Sequence, residues 1–261
     1  MKRFLRVWLK MAGIAAQSQL ITTKGGFLFL IGKIIRFFFF FIFLFSVLSG
    51  VGSLAGYSKE QVILFYLVFN IVDIIIQFLF RGVYIFRFSV VSGNYDLDLL
   101  KPLPSFFRPL FGWTDILDLI TLLPLLIFTI WYIFTHQLLA SSLSFALFLL
   151  LLINSTLVGF AFHLLVCSVC VLTTKIDHLV WIYRDLTGMA RFPTDIYGKG
   201  VRIALTFVVP VIVLITVPAK ALLGLLNPMA IIFSLLVGIL ASYFSLKFWF
   251  FSLKKYTSAS S

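Results

Sequence analysis

Polar positions are scarce along this chain, and where they cluster they divide it into apolar runs. The runs cover Ile34 to Gly52 ("IIRFFFFFIFLFSVLSGVG"), Val62 to Phe80, Ile116 to Phe134, Ser141 to Thr173, Val201 to Val217 and Met229 to Phe251. A membrane-spanning helix needs about 20 mainly apolar residues, so the pattern predicts six spans. From Leu138 to Thr174 no side chain carries a formal charge. As one helix that stretch would be about 55 Å long, against a hydrocarbon core of about 30 Å. Two tight spans joined near Asn154, Ser155 or Gly159 are the alternative. Basic residues decide between them. One span puts Lys175, Arg184, Arg191, Lys199 and Arg202 on the cytoplasmic side with only Lys59 and Lys220 outside, whereas two spans would reverse the positive-inside bias. The expected topology has six helices and both termini in the cytoplasm.

Composition agrees with a lipid solvent. The 261 residues are 62% hydrophobic and 11% charged, with 32 phenylalanines, whereas a soluble domain is about 45–50% apolar and about 25% charged. An all-α integral membrane protein with a single domain over residues 1–261 is the fold class this implies. The net charge of +12 is spread along the flanks of apolar runs and forms no basic face, which excludes nucleic acid as the partner. Near the N-terminus, Phe4, Val7, Trp8 and Met11 alternate with Lys2, Arg3, Arg6 and Lys10. That spacing predicts an amphipathic helix within residues 1–26, lying on the inner leaflet, with Lys33 and Arg36 snorkelling to the same interface. Charges throughout this segment predict no cleavable signal peptide. Cys167 and Cys170 sit in an apolar run and read as small packed side chains, without the context of a redox motif.

The segment "GNYDLDLLKPLPSFFRPLFG", Gly93 to Gly112, breaks the apolar pattern and lies in the cytoplasmic loop of residues 81–115 between the second and third spans. Gly93 and Asn94 end the preceding helix. Asp96 and Asp98 stand at the acidic start of a short helix bearing Leu97, Leu99 and Leu100, which Lys101 and Pro102 terminate. A capped, leucine-faced helix exposed to cytosol suits contact with another protein.

With these residues in view, the chain resembles the membrane subunits of ABC-2-type ABC transporters, in the branch of small six-span permeases. The matching stretches are "SGNYDLDLLKPL", the tail "LKKYTSASS", "NPMAII" at the last span and "ALTFVVPVIVLITVPAKALLG" around the fifth. The resemblance implies a multi-pass subunit of a bacterial cytoplasmic (inner) membrane that forms the path for an exported substrate. It implies efflux driven by a separate ATP-binding subunit, which holds ATP and magnesium, and a second permease that completes a dimer. Gly93, Asp96, Leu99, Leu100, Lys101 and Pro102 are, by the same resemblance, the positions that contact the ATPase. Tyr95 departs from the bulky or acidic residue expected there. The sequence independently lacks G-x-x-x-x-G-K-[ST]; the glycine-rich "GVGSLAGYS" has neither the spacing nor the lysine. No cofactor is expected on this chain, and no enzymatic activity.

In the second span Tyr66, Asn70, Asp73 and Gln77 follow one another at spacings of four, three and four, on one helical face. A carboxylate at mid-bilayer costs at least about 2.5–3.5 kcal/mol, so Asp73 must face protein or water. The stripe is either the wall of a translocation path or interhelical glue, worth about 0.6–2 kcal/mol per contact. It also supports an alternative, an ion- or proton-coupled secondary transporter using Asp73, although the internal repeats of such transporters are not visible. A lipid-modifying enzyme is disfavoured, since Glu60 is the only glutamate and no nucleophile–base arrangement exists. Asp115 and Asp118 are expected to cap the third span. His163 should be packed in its helix, and His136 and His178 sit in loops without partners at metal-ligand spacing. Pro210 should kink the fifth span. Residues 218–227 lie outside or re-enter, and Lys175 to Gly200 forms an interfacial cytoplasmic loop.

Overall fold

The computed structural model describes residues 2–21, 23–173 and 177–257. The elements run α1 (Lys2–Ile21), α2 (Thr23–Val51), a hairpin of β1 (Ser53–Leu54) and β2 (Tyr57–Ser58), α3 (Lys59–Phe80), α4 (Val83–Val91), α5 (Asn94–Leu99) and α6 (Phe107–Phe111). Then follow α7 (Ile116–Thr135), α8 (Ser142–Thr173), α9 (Asp177–Gly188), 3₁₀ turns at Met189–Arg191 and Thr194–Ile196, and α10 (Lys199–Phe207). A π-helical turn (Ile212–Thr216), α11 (Val217–Leu222) and α12 (Pro228–Lys254) complete the chain. This is an all-α membrane fold. Among the described residues five helical stretches are long and apolar enough to cross a bilayer: Gly25–Val51, Lys59–Val91, Ile116–Thr135, Ser142–Thr173 and Pro228–Lys254.

Helix starts follow local chemistry. Ser58 and Gln61 form a capping box that opens α3. Asn227 caps α12, whose first residue is a proline. The uncharged stretch after Leu138 is one helix, and α8 spans about 48 Å. The first span begins at Thr23, well before Ile34, so Lys33 and Arg36 lie inside a helix and not at its flank.

The largest departure from the sequence pattern concerns the fifth crossing. Helices α8 and α12 pack side by side and parallel: Asn154 donates to Ser234 O at 2.9 Å, and Ser242 to Leu157 O at 3.3 Å. The chain must therefore return from the end of α8 to the start of α12. Residues 177–197 make that return. Tyr183 stacks on Phe162, Arg191 lies over the rings of Phe40 and Phe69, and Asp195 accepts from Tyr57 of the hairpin at 2.8 Å. The expected fifth span over 201–217 does not cross. Helix α10 and the segment Ile212–Leu222 meet at 83°, and Arg202 and Lys220, one on each arm, both pair with Asp195. These contacts describe a helical hairpin that enters from the β-hairpin end and goes back to it. Pro210 lies at its turn. Arg202 therefore stands with Lys220, and Lys175 lies outside the described residues, so the expected basic cytoplasmic loop of 175–200 is not retained as a unit. Six traversals remain, with the fifth reassigned.

The amphipathic helix is present as α1. It docks through Phe4 on Phe107 and Trp8 on Phe78, while Gln19 donates to Thr114 O at 2.8 Å and accepts from Ile116 N–H at 3.0 Å. Leu5, Leu9 and Ile14 stay exposed, as an apolar interface would allow.

Candidate functional site

Two adjoining clefts run along α3 near the middle of the bundle. The larger, about 480 Å³, lies among α2, α3 and α7, and the smaller, about 250 Å³, continues toward α9. Arg36, Asn70, Asp73 and Arg184 line both.

The predicted polar stripe divides between the two roles weighed for it. Tyr66 donates to Phe37 O at 3.0 Å and packs its ring on Phe37 and Phe40, which ties α3 to α2. Asn70 returns its donor to Tyr66 O at 2.7 Å within its own helix. Gln77 Oε1 accepts from Tyr84 Oη at 2.9 Å, and Gln77 Nε2 has no partner among the described residues. Asp73 opens onto both clefts, which Arg36 and Arg184 also line, and forms no ion pair within 4 Å among the described residues.

Below this stripe lies a charge cluster that sequence reasoning missed. Lys33 Nζ meets Asp118 at 2.6 Å and Asp115 at 3.3 Å, while Arg81 meets Asp115 at 3.0 Å and Asp118 at 3.1 Å. Two cations and two carboxylates close a neutral ring that joins α2, the end of α3 and the start of α7. Asp115 does cap α7, accepting from Leu117 N–H at 2.9 Å. Its second oxygen and the whole Asp118 carboxylate belong to the ring. The available signal was Lys33 standing between the apolar stretches "FLFLIG" and "II", where an unpaired ammonium is costly.

The segment Gly93–Gly112 forms a tethered knob. Gly93 has φ of +73°, the left-handed conformation glycine tolerates, and so turns the chain from α4 into α5. Tyr95 is fully buried, its ring edge-on to Phe86 at 5.0 Å and Tyr256 at 5.5 Å, with its hydroxyl donating to Ser105 O at 3.2 Å. Trp249 of α12 also donates to Ser105, at 2.9 Å. Tyr95, the residue that departs from the family's usual choice, is thus the anchor. Asp96 accepts from Tyr256 at 2.8 Å, and burial with this bond pushes the Tyr256 hydroxyl up to about 12. Asp98 holds Lys101 at 2.7 Å and also pairs with Arg108. The outward face consists of Leu97 and Leu100, 61% and 82% exposed, with Leu99 and Pro102 beside them. Leu97 was absent from the predicted contact set, although its alternation with two aspartates pointed to it. Ser258–Ser261, the end of the matching tail, lie outside the described residues.

His163 is buried, with Nδ1 2.8 Å from Gly159 O of its own helix, and the Cys167 and Cys170 side chains are buried as well. Among the described residues no group of three His, Cys, Asp or Glu could hold a metal ion.

The architecture is that of a multi-pass helical membrane protein, with α8 parallel to α12, a bent helical hairpin and a tethered knob. The family model for ABC-2 family transporter protein matches residues 31–260, and the chain belongs to that family. No curated protein and no solved structure matches the chain.

Proposed function

We propose that the chain is the permease subunit of an ATP-driven exporter of a bacterial cytoplasmic membrane, paired with a second permease and with a separate subunit that binds ATP and magnesium. The knob carries this reading. Its core is fixed to α4 through Phe86, to α12 through Trp249 and to the residues just after α12 through Tyr256, while Leu97 and Leu100 face outward. A push on those leucines is delivered to two crossings without loss in a flexible loop. Gly93 supplies the turn, Asp96 ties the knob to Tyr256, Lys101 pairs with Asp98 at the knob's surface, and Leu99, Leu100 and Pro102 join Leu97 on the contact face. In this orientation the knob and both termini are cytoplasmic, and the β-hairpin faces out.

Co-purification with the ATP-binding subunit tests the reading. Leu97→Glu with Leu100→Glu should abolish recovery of the ATPase while leaving the permease folded, because neither side chain is buried. ATP hydrolysis by the purified chain alone, or labelling of a cysteine at position 100 from outside the cell, would defeat it. A secondary transporter remains the competing reading because Asp73 opens to the clefts without an ion pair. Transport that needs Asp73 and a proton gradient, but no ATPase, would favour that alternative.

A further inference from the structure

The same clefts specify a ligand class. The larger is lined by Lys33, Arg36, Arg81 and Arg184 against Asp73 and Asp118, and the smaller by Arg36, Arg184 and Arg191 against Asp73 and Asp185. Positive charge is in excess in both. It is also available, at two positions in particular. Lys33 and Arg81 are neutralised by the aspartate pair, but Arg36 has no hydrogen bond or carboxylate within 4 Å among the described residues, and Arg191 lies over Phe40 and Phe69 alone.

A second observation points to an acceptor-rich ligand. Gln77 is 4% exposed, lines the larger cleft, and leaves Nε2 without an acceptor while Tyr84 occupies its Oε1. A buried unpartnered amide donor is costly, and an incoming oxygen would satisfy it. The rest of the wall is apolar: Phe37, Phe38, Leu125 and Phe128 line the same cleft. Asp73 admits no bare anion lightly, so an anionic group must seat against the arginines with its apolar part along the phenylalanines.

We propose that these clefts bind an amphiphile with an anionic, phosphate- or carboxylate-type head, its head on Arg36 and Gln77 Nε2 and its chain against Phe37, Phe38 and Phe128. The identification of this ligand as substrate rests on the transporter reading; the binding itself does not.

The test uses the purified full-length chain in maltoside micelles, without any ATPase, and equilibrium binding of labelled dodecyl phosphate. Saturable binding is expected, weakened about tenfold in Arg36→Gln by the loss of one charge-assisted hydrogen bond and weakened likewise in Gln77→Leu. Arg36 is exposed and unpaired, so its replacement leaves the fold intact. Dodecyltrimethylammonium should not compete. Equal competition by that cation, or binding indifferent to both substitutions, overturns the proposal. Competition by inorganic phosphate as strong as by the amphiphile would overturn the role of the chain-binding wall and leave a free-anion site. If dodecyl phosphate binds as expected while the ATPase fails to co-purify, the transporter reading fails alone.

Discussion

Replacing Asp118 with Asn removes one carboxylate from the ring that joins α2, α3 and α7 and leaves two cations sharing Asp115. The Asp118 side chain is 7% exposed, while Lys33 and Arg81 are 18% and 26% exposed. Asn retains one acceptor oxygen, so one charge-assisted hydrogen bond is lost and the other meets a neutral acceptor; such bonds are worth about 1.5–3 kcal/mol in favourable settings, and breaking a fully buried pair costs about 3–5 kcal/mol. Solvent reaches both cations and Asp115 still binds each, so the expected loss is about 2–3 kcal/mol. The partner replacement Lys33→Met restores charge balance around the remaining Arg81–Asp115 pair. Combined with Asp118→Asn, it should recover at least about half of the loss, the non-additivity expected of residues in one network. Unfolding by SDS titration from neutral micelles, followed by tryptophan fluorescence, measures each variant. An Asp118→Asn protein within about 0.5 kcal/mol of the parent, or losses that simply add in the double variant, would refute the account of the ring as a coupled unit.

Gly82 sits at the break between α3 and α4, and a Cβ there would lie 2.5 Å from Pro109 O and 2.8 Å from Leu110 O, both backbone atoms. Gly82→Ala should therefore destabilise by about 1–3 kcal/mol and loosen the knob, read by the same titration and by faster proteolysis within residues 93–112; unchanged values would show that α6 can move aside. Burial pulls the Asp195 carboxyl upward, but hydrogen bonds from Lys220 and Tyr57 outweigh it and hold it below the usual carboxylate range. Its folded value lies below its unfolded one, so its contribution is present above about pH 4 and is lost as pH falls through the lower folded value. The stability gap between parent and Asp195→Asn should narrow on acidification below about pH 4; a gap independent of pH would remove Asp195 as the tie between hairpin and re-entrant arms.

Much of the fold is legible in the residues because lipid makes a simple demand: backbone groups must pair within the segment. Long apolar runs therefore became α2, α3, α7, α8 and α12. The capping residues Ser58, Asp115 and Asn227 begin their helices as local chemistry requires. The fifth crossing escaped because α9 is short and carries Arg184 and Asp185, and the run after Val201 looked greasier than the segment that crosses. Hydropathy records how apolar a stretch is; it does not record which end of the bundle the stretch returns to.

At the candidate site, periodicity alone put Tyr66, Asn70, Asp73 and Gln77 on one face of α3, since a 3.6-residue repeat is a property of the chain. Which of them would be consumed by packing depended on neighbours distant in sequence: Phe37 for Tyr66, and Tyr84 for one end of Gln77. The sequence by itself determined a lipid-embedded helical protein with a polar knob between its second and third crossings, because solvent preference and helix capping are local properties. Only the tertiary structure decided that Tyr95 is the knob's anchor, that Lys33 and Arg81 close a ring with Asp115 and Asp118, and that Asp195 fastens the re-entrant arms. Each of those pairings joins residues brought together by the packing of separate helices, and no local pattern encodes it.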